Sequence, residues 1–327
     1  MYPYPVKFHP IAMERMWGGH KLKSRFGQRG NRPIGEYWVL SGHPHGTSVV
    51  KNGSFAGKSL ADLTSEYPEA YLGHSPQGRF PLLVKFLEAS DHLSVQIHPD
   101  DQYAQKREGD FGKSEAWYML DHEPGAKIVC GHTLSDEKEY RQALSEKRIQ
   151  DFLLFREVRK GDMFFLPART LHALLAGTIV IEIQQASDVT YRIYDWDRVD
   201  SEGKGRELHI EQATEVMQYG ADAQQAGEPV PPKLLQLSNR GRHELLLACP
   251  AFTIERLVLV NDMYRFLQAA NGNPEILVIA EGNGLLRVNG DQEGLPLLPG
   301  DAVLLPTSVS SYRVETNSSI HLLRTYY

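Results

Sequence analysis

The chain contains only two cysteines in 327 residues, Cys130 and Cys249. They are far apart in the sequence and form no Cys-x-x-Cys pair, which argues against a disulfide framework. So few cysteines, without a pairing pattern, are typical of proteins from a reducing compartment. We therefore expect a cytoplasmic protein in which neither cysteine is a nucleophile.

Long hydrophobic runs are absent as well. No segment approaches the roughly 18 to 20 consecutive apolar residues that a membrane-spanning helix needs. The first residues, MYPYPVKFHPIAMERMWGG, contain no apolar core of signal-peptide length. The sequence thus predicts a soluble, intracellular protein with no membrane partner.

An excess of one charge is also missing, since 35 basic and 41 acidic residues give a formal net charge of -6. Such a mild acidic balance gives no reason to expect a nucleic-acid partner. Glycine-rich nucleotide-binding loops are not found, and the EGNG sequence at 281–284 is typical of a turn. A phosphorylated small molecule is still an acceptable substrate, because the charge of a pocket need not follow the overall charge. The composition indicates no particular oligomeric state.

What the sequence does contain is a series of short runs rich in Val, Ile, Leu and Phe. Examples are RFPLLVKFLEA (79–89), AKIVCGH (126–132), TIVIEIQQ (178–185) and PEILVIAEG (274–282). Such runs, bounded by Gly, Pro, Asp or Asn, are the signature of β-strands. Many short strands at close spacing predict a mainly β protein built as a sandwich or barrel.

Helical segments are few. The stretches 59–73, 135–144 and 209–220 are predicted helices, the first two with Ser59 and Ser135 as N-cap residues. The stretch 223–233, AQQAGEPVPPK, has three prolines and few large apolar residues. It is predicted to be a linker or an extended crossing, and therefore a domain boundary.

Two distant segments repeat one pattern. They are KGDMFFLPARTLHAL (160–174) and PGDAVLLPTSVSSYRV (299–314). Each has Gly-Asp, then apolar residues, then Leu-Pro, and the interval from Gly161 to His172 equals that from Gly300 to Ser311. A turn feeding a strand, followed by a proline-initiated crossing, explains the pattern. Two copies so far apart predict duplicated domains.

The repeated pattern resembles the second motif of the cupin superfamily, whose fold is a jelly-roll barrel, also called a double-stranded β-helix. In that superfamily the histidine of this motif binds a metal, which implies that His172 is a ligand and that Ser311 marks a barrel without metal. We therefore expect two cupin barrels with a few flanking α-helices. The metal-bearing catalytic domain would span 1–225, with small helical elements, and the domain without metal ligands 234–327.

The residues themselves suggest which groups bind that metal. Gln96 and His98 are two apart on a predicted strand and so share one face. Glu115 begins another predicted strand, and His172 follows the proline crossing. An amide, two imidazoles and a carboxylate suit Zn²⁺. Because two histidines and one carboxylate also suit non-haem Fe(II), these residue types leave the metal open.

Longer runs give a more specific resemblance. They are QIHPDDQYA (96–104), GKSE (112–115), LHA (171–173) and EIQQASDVTYRIYDWDR (182–198), with Trp17-Gly18-Gly19 near the start. These runs resemble the type I mannose-6-phosphate isomerases, and most of all the short bacterial form of that family. The similarity is dense from residue 8 to about residue 215.

This resemblance implies a zinc enzyme that interconverts D-mannose 6-phosphate and D-fructose 6-phosphate, with one Zn²⁺ per chain. The implied zinc ligands are Gln96, His98, Glu115 and His172. The implied catalytic arginine is Arg192, and the other implied active-site residues are Lys113, Glu182 and Asp188.

Isomerisation through a cis-enediol needs a base for a carbon-bound proton and a cation for the charge that develops on oxygen. Arg192 cannot be the base, since a guanidinium stays protonated. It can stabilise an enediolate, or it can form an ion pair with Asp188 or Asp195. Glu182, Asp188 and Lys113 all remain candidates for the base.

Three other functions compete with this one. An Fe(II)-dependent cupin dioxygenase would use the same histidines and carboxylate, but would not particularly need Lys113 and Arg192. A non-catalytic sugar-binding cupin would require a damaged first barrel, whereas only the second barrel lacks ligands. An isomerase acting on another sugar or sugar phosphate is equally compatible with these residues. Histidines outside the motifs, including His43 and His45, are expected to be loop residues on the surface.

Overall fold

The computed structural model describes residues 2–199, 202–225, 227–288 and 293–327. Strands dominate it, which confirms the predicted mainly β class. In chain order the strands of the first part are β1 Val6–His9, β2 Ile11–Gly19, β3 Ile34–Ser41, β4 Val49–Val50, β5 Leu82–Ala89, β6 Val95–Ile97, β7 Glu115–His122, β8 Lys127–His132, β9 Leu153–Glu157, β10 Met163–Leu166, β11 His172–Leu174, β12 Thr178–Gln185 and β13 Tyr191–Tyr194. Those of the second part are β14 Lys233–Leu237, β15 Gly241–Ala248, β16 Thr253–Leu267, β17 Glu275–Gly282, β18 Gly284–Val288, β19 Leu295–Leu297, β20 Ala302–Leu305 and β21 Ser311–Tyr326.

The helices are short. They are α1 Leu60–Glu66, α2 Pro68–Tyr71, α3 Asp101–Arg107, α4 Glu137–Ser145, α5 Ile210–Val216 and α6 Ala221–Gln225, with 3₁₀ turns at Gly53–Phe55 and Ile149–Phe152. Ser59 caps α1 as predicted: its hydroxyl accepts from the Asp62 N–H, and the Asp62 carboxylate accepts from the Ser59 N–H. The prediction for α4 was wrong by one residue, because Asp136 and not Ser135 is its N-cap.

The predicted linker at 223–233, whose residue 226 lies outside the described residues, is partly helical at its start. Beyond α6 it runs along β10, where Pro229 bridges Phe164 and the Val230 N–H donates to the Met163 carbonyl at 2.7 Å. This segment is therefore an extended crossing held by hydrogen bonds.

The strands form three sheets. The first has the order β10-β7-β12-β5-β3-β2, the second β13-β6-β11-β8-β9, and the third β14-β15-β16-β21-β17-β20-β1-β4, with β18 and β19 joined to β21. One hydrophobic cluster fills the space between the first two sheets, and Trp117, Phe164, Ile128 and Leu174 are among its members. The candidate site residues lie on these two facing sheets.

The N-terminal strand β1 belongs to the third sheet, since Val6 pairs with Leu304 of β20. A second cluster accordingly contains residues from both ends of the chain, such as Phe8, Phe86 and Ile254. The division into domains at 1–225 and 234–327 stays a prediction, and the structure adds that residues 6–9 pair with the C-terminal strands.

The repeated Gly-Asp sequences form the same turn twice. Gly161 and Gly300 both have a φ of +91°, which a residue with a Cβ adopts only with strain. The Gly161 N–H donates to the Met119 carbonyl at 2.8 Å, and the Gly300 N–H donates to the Ile279 carbonyl at 2.9 Å. The glycines are therefore required by the backbone at equivalent points of the two halves.

The aspartates of the two turns are also equivalent. The Asp162 carboxylate accepts from the Arg159 N–H at 2.8 Å, and the Asp301 carboxylate accepts from the Leu298 N–H at 2.9 Å. The side chain of each aspartate thus closes its own turn three residues back. This equivalence supports the predicted duplication.

Candidate active site

Three buried ligand-type side chains meet where the first two sheets face each other. His98 follows β6, Glu115 begins β7 and His172 begins β11, and their candidate ligand atoms all lie within 4.8 Å of one another. Nε2 of His172 is 3.1 Å from Oε1 of Glu115, and Nε2 of His98 is 3.5 Å from Oε2. The structure therefore brings together three of the four ligands named from the sequence.

Both imidazoles are held with Nε2 towards this centre. Nδ1 of His98 donates to the Val189 carbonyl at 2.9 Å, and Nδ1 of His172 donates to the Thr170 carbonyl at 2.9 Å. A carbonyl can only accept, so Nδ1 carries the proton in each ring and Nε2 keeps its lone pair. Backbone contacts of this kind fix histidines as metal ligands.

Glu115 completes the donor set as a carboxylate. It is fully buried, and its polar neighbours are the Lys113 ammonium, 2.8 Å from Oε2, and the two imidazoles. Burial raises the pKa of this carboxyl, but Lys113, His172 and His98 outweigh burial and hold the pKa well below its usual range. Burial and Lys113 hold the pKa of His98 well below its ordinary value. An ionised carboxylate and neutral imidazoles are the states that a divalent cation requires, so these residues fit a metal.

Gln96 lies beside the centre on β6, between β13 and β11. In the ladder it is opposite His172 on one side and Arg192 on the other, so the three side chains form a row on one face. Its Nε2 is 3.4 Å from Nε2 of His172. Rotating the amide by half a turn exchanges the nitrogen for Oε1, which is the atom a cation would bind.

Arg192 extends this row into the cavity. Nη1 donates to the Glu207 carbonyl at 2.7 Å, while the buried Nε has no hydrogen-bond partner. Burial and then the nearby Arg206 lower its pKa, yet a guanidinium keeps its charge. Among the described residues no carboxylate forms an ion pair with it. The ion pairs considered with Asp188 and Asp195 are therefore not made.

Asp195 binds two other arginines instead. Its carboxylate accepts from Nη2 of Arg198 at 2.5 Å and from Nε of Arg206 at 2.7 Å. Asp195 thereby positions Arg206 on the cavity wall. Sequence reasoning missed this role of Arg206.

Glu182 faces the same cavity from β12. One oxygen accepts from Nε1 of Trp117 at 2.9 Å, and the other is 2.9 Å from Nζ of Lys85. Lys85 also lies 3.8 Å from Glu36, and Glu36 and Glu182 together raise the pKa of Lys85 despite its burial. Sequence reasoning missed Lys85, although a lysine inside the apolar run RFPLLVKFLEA was a usable signal.

Lys113 lines the cavity and contacts two of the ligands. Its Nζ is 2.8 Å from Oε2 of Glu115 and 3.0 Å from Nε2 of His98. Asp188 also lines the cavity, and its Oδ2 is 2.6 Å from Nδ1 of His45. The expectation that His43 is a surface residue was wrong, since its side chain is 3% exposed.

These residues surround one cavity of about 500 Å³, a size typical of small-molecule sites. Its walls are unusually polar and carry a cluster of cationic side chains. The walls include five site residues named from the sequence, namely Gln96, Lys113, Glu182, Asp188 and Arg192. They also include Arg15, Glu36, Lys85, His45 and Arg206. Such walls suit a polar, anionic substrate.

Comparison with known proteins shows which family the chain belongs to. Residues 6–142 match the family model described as phosphomannose isomerase type I, catalytic domain. A mannose-6-phosphate isomerase from Streptococcus mutans is 37% identical over 318 residues, which is 97% of this chain and 96% of the relative. The chain belongs to the type I phosphomannose isomerase family. It is therefore an enzyme of the aldose–ketose isomerase class.

Solved structures of isomerases agree with this placement. The crystal structure of the mannose 6-phosphate isomerase from Bacillus subtilis has 31% identity and a TM-score of 0.89, covering 99% of this chain and 100% of its own. A mannose 6-phosphate isomerase bound with zinc and yttrium shares the fold at 18% identity, with a TM-score of 0.75 and 99% of each chain covered. Of the helices in the described residues, none is long and apolar enough to cross a membrane.

Proposed function

We propose that the chain is a zinc-dependent isomerase that interconverts D-mannose 6-phosphate and D-fructose 6-phosphate through a cis-enediol. The observation that carries the proposal is the buried His98–Glu115–His172 centre, which adjoins a cavity lined by cationic side chains. In a member of this family, a metal centre beside an anion-binding cavity suits a sugar phosphate. The likeness to mannose-6-phosphate isomerases over nearly the whole chain supports this substrate.

The metal would be held by His98, Glu115 and His172, with the Gln96 amide as a fourth ligand. This nitrogen and oxygen donor set suits zinc, and a structure with the same fold is of an isomerase bound with zinc. A bound zinc ion supplies a Lewis acid for the oxygens at C1 and C2 of the substrate. The two backbone carbonyls that hold Nδ1 of the histidines keep the donor set in place.

Arg192 would stabilise negative charge on the substrate. It brings an ionised guanidinium into the cavity without a carboxylate partner among the described residues, so the charge is available to an enediolate oxygen or a phosphate. Arg192 is partly buried, and the lower dielectric of a partly buried site strengthens such an interaction. Lys85 and Arg206 carry carboxylate partners, and so neutralise less of the substrate charge.

The three candidate bases differ in how they are held. Both oxygens of Glu182 face donors, namely Trp117 and Lys85. Lys113 lies against the Glu115 carboxylate. Asp188 is bound by a histidine that itself lines the cavity. All three thus have a neighbouring partner, but Glu182 and Lys113 are almost fully buried, whereas 41% of the Asp188 side chain is exposed.

A metal assay run beside a coupled isomerase assay tests the proposal. The purified enzyme is expected to contain about one zinc per chain and to lose mannose 6-phosphate conversion when a chelator removes the metal, with recovery when zinc is added back. Glucose 6-phosphate and unphosphorylated mannose serve as comparison substrates. Stoichiometric iron, full activity in metal-free enzyme, or preference for another sugar would each contradict the proposal.

A further inference from the structure

The loop at residues 42–48 brings a pair of histidines to the Asp188 carboxylate, which lines the cavity. His45 lines the cavity, and its Nδ1 lies 2.6 Å from Oδ2 of Asp188. The His43 ring is buried behind them, with Nε2 3.7 Å from Oδ1 of the same aspartate. Asp188 therefore holds two histidines at once.

These three side chains are close enough to suggest a second cation site, but their hydrogen bonds exclude it. Nδ1 of His43 accepts from the His45 N–H at 3.3 Å, so the proton of the neutral His43 ring is on Nε2 and no lone pair there faces the cluster. Burial, with Arg79 and His45, lowers the pKa of His43 against the pull of Asp188 and Asp110, which keeps the ring neutral. The cluster is therefore a hydrogen-bonded dyad, formed by His45 and Asp188, with the buried His43 ring packed behind it.

The dyad has the arrangement that orients an imidazole for proton transfer. Burial raises the pKa of Asp188, but the hydrogen bond that Nδ1 of His45 donates helps to hold it below the ordinary value, so the carboxylate is ionised. An ionised carboxylate accepts from Nδ1–H and leaves Nε2 as the basic nitrogen, as the aspartate does in a catalytic triad. Nε2 of His45 makes no hydrogen bond within the described part of the chain.

Two consecutive residues connect the dyad to the metal centre. Asp188 directly precedes Val189, whose carbonyl accepts from Nδ1 of His98. The same short segment thus orients a metal ligand on one side and the dyad on the other. His45, Gln96 and Lys113 line the same cavity, so a substrate bound there is accessible both to the dyad and to the side chains beside the metal centre.

We propose that His45 is the group that carries the proton between C2 and C1 of the open-chain sugar phosphate, and that Asp188 is its positioning residue. This inference rests on the proposed isomerase function. Nε2 of His45 removes the proton from C2 of the aldose. The electrons of that C–H bond form the C1–C2 double bond while the π electrons of the C1 carbonyl move to O1, which gives the enediolate. The hydroxyl proton passes from O2 to O1, and Nε2 returns its proton to C1, so the ketose is formed without oxidant or reductant.

The test compares His45→Gln with the wild type and with His20→Gln, an exposed histidine outside the cavity. His45→Gln is expected to lower kcat about 100-fold with KM and zinc content little changed. If His45 takes this proton, its replacement slows C–H cleavage, so the isotope effect on kcat with substrate deuterated at C2 rises in the variant. His20→Gln should match the wild type.

A second variant separates catalysis from simple support of the loop. In His45→Gly, added imidazole is expected to restore part of kcat, which a structural role would not produce. Asp188→Asn should retain His45 but lower kcat, because an amide cannot stabilise the imidazolium. A wild type without isomerase activity overturns the proposed function and this inference together. An active wild type with His45→Gln within about tenfold of its kcat, or with a loss confined to KM, overturns the His45 role alone.

Discussion

Glu115 and Glu275 occupy the same position in two equivalent β-ladders. Glu115 pairs with Leu166, and Glu275 pairs with Leu305; both leucines precede the proline of the repeated Gly-Asp to Leu-Pro segment. Around Glu115 stand histidines, whereas Glu275 is bound by the guanidinium of Arg324, whose Nε donates to it at 2.9 Å. The C-terminal half thus has a buried carboxylate at the same position, and an arginine neutralises its charge.

The ion pairs next to these glutamates are reversed in sign. In the first half Glu182 pairs in the ladder with Lys85, and in the second half Arg324 pairs with Glu255 at the matching position. Nη1 of Arg324 is 2.9 Å from Glu255. Arg324 therefore serves two buried carboxylates, which makes it a stability determinant of the C-terminal half.

Replacing Arg324 by Met should destabilise the protein by about 3–5 kcal/mol, because Glu275 and Glu255 would be left buried without a cation. Urea unfolding monitored by tryptophan fluorescence measures the change. The control is Arg32→Met, since Arg32 pairs with Glu14 at the surface with 81% of its side chain exposed, and exposed pairs contribute about 0–1 kcal/mol. An equal loss of unfolding free energy in the two variants would contradict the role of Arg324 as a stability determinant.

His172→Ser copies Ser311, the residue at the equivalent position of the second half. The variant should lose one of the two imidazoles of the proposed metal centre, and its zinc content should fall from about one per chain to a small fraction of that. Mass spectrometry and atomic absorption give the stoichiometry. His9→Ser, at an exposed position, is the control. Retention of full zinc content by His172→Ser would exclude His172 as a ligand.

Arg192→Lys should lower kcat/KM by about 10²- to 10³-fold. The charge is kept, but lysine lacks the planar fork that binds the Glu207 carbonyl and an oxyanion together. Steady-state kinetics with mannose 6-phosphate measure the loss. Arg148→Lys, on the exposed surface, should leave kcat/KM unchanged, and a similarly unchanged Arg192→Lys would remove Arg192 from catalysis.

Asp301 ties the N-terminal strand to the C-terminal sheet and makes stability depend on pH. Burial raises its pKa, but the hydrogen bonds and charges of Lys51 and Lys7 lower it further, below the ordinary value. A lowered folded pKa means that the stabilisation is full at neutral pH and is lost as pH falls through that pKa. Asp301→Asn should therefore cost about 1–3 kcal/mol at pH 7.

The stability difference between the wild type and Asp301→Asn should depend on pH. Urea unfolding at a series of pH values should show the gap between variant and wild type narrowing as the pH drops below the ordinary aspartate range, about 3.9. If the difference in unfolding free energy stays constant down to strong acid, the contribution of Asp301 does not depend on the charge of its carboxylate.

The sequence by itself determined the strand-rich class, the two Gly-Asp turns and the candidate ligands. It could do so because each depends on local rules: period-two alternation puts Gln96 and His98 on one face, and a φ of +91° at Gly161 and Gly300 needs glycine. A near miss such as the cap of α4 has the same local origin, since Ser135 and Asp136 are both good caps.

Only the tertiary structure decided which distant residues share the cavity. Lys85, His45 and Arg206 come from segments far apart in the chain, and strand periodicity gives the face of a side chain but not the strand that lies beside it. The structure also decided that Asp188 binds His45 and that no carboxylate in the described part of the chain forms an ion pair with Arg192. That choice depends on how the loop at residues 42–48 packs against Asp188, which precedes β13. Packing between segments so far apart is set by the whole folded chain.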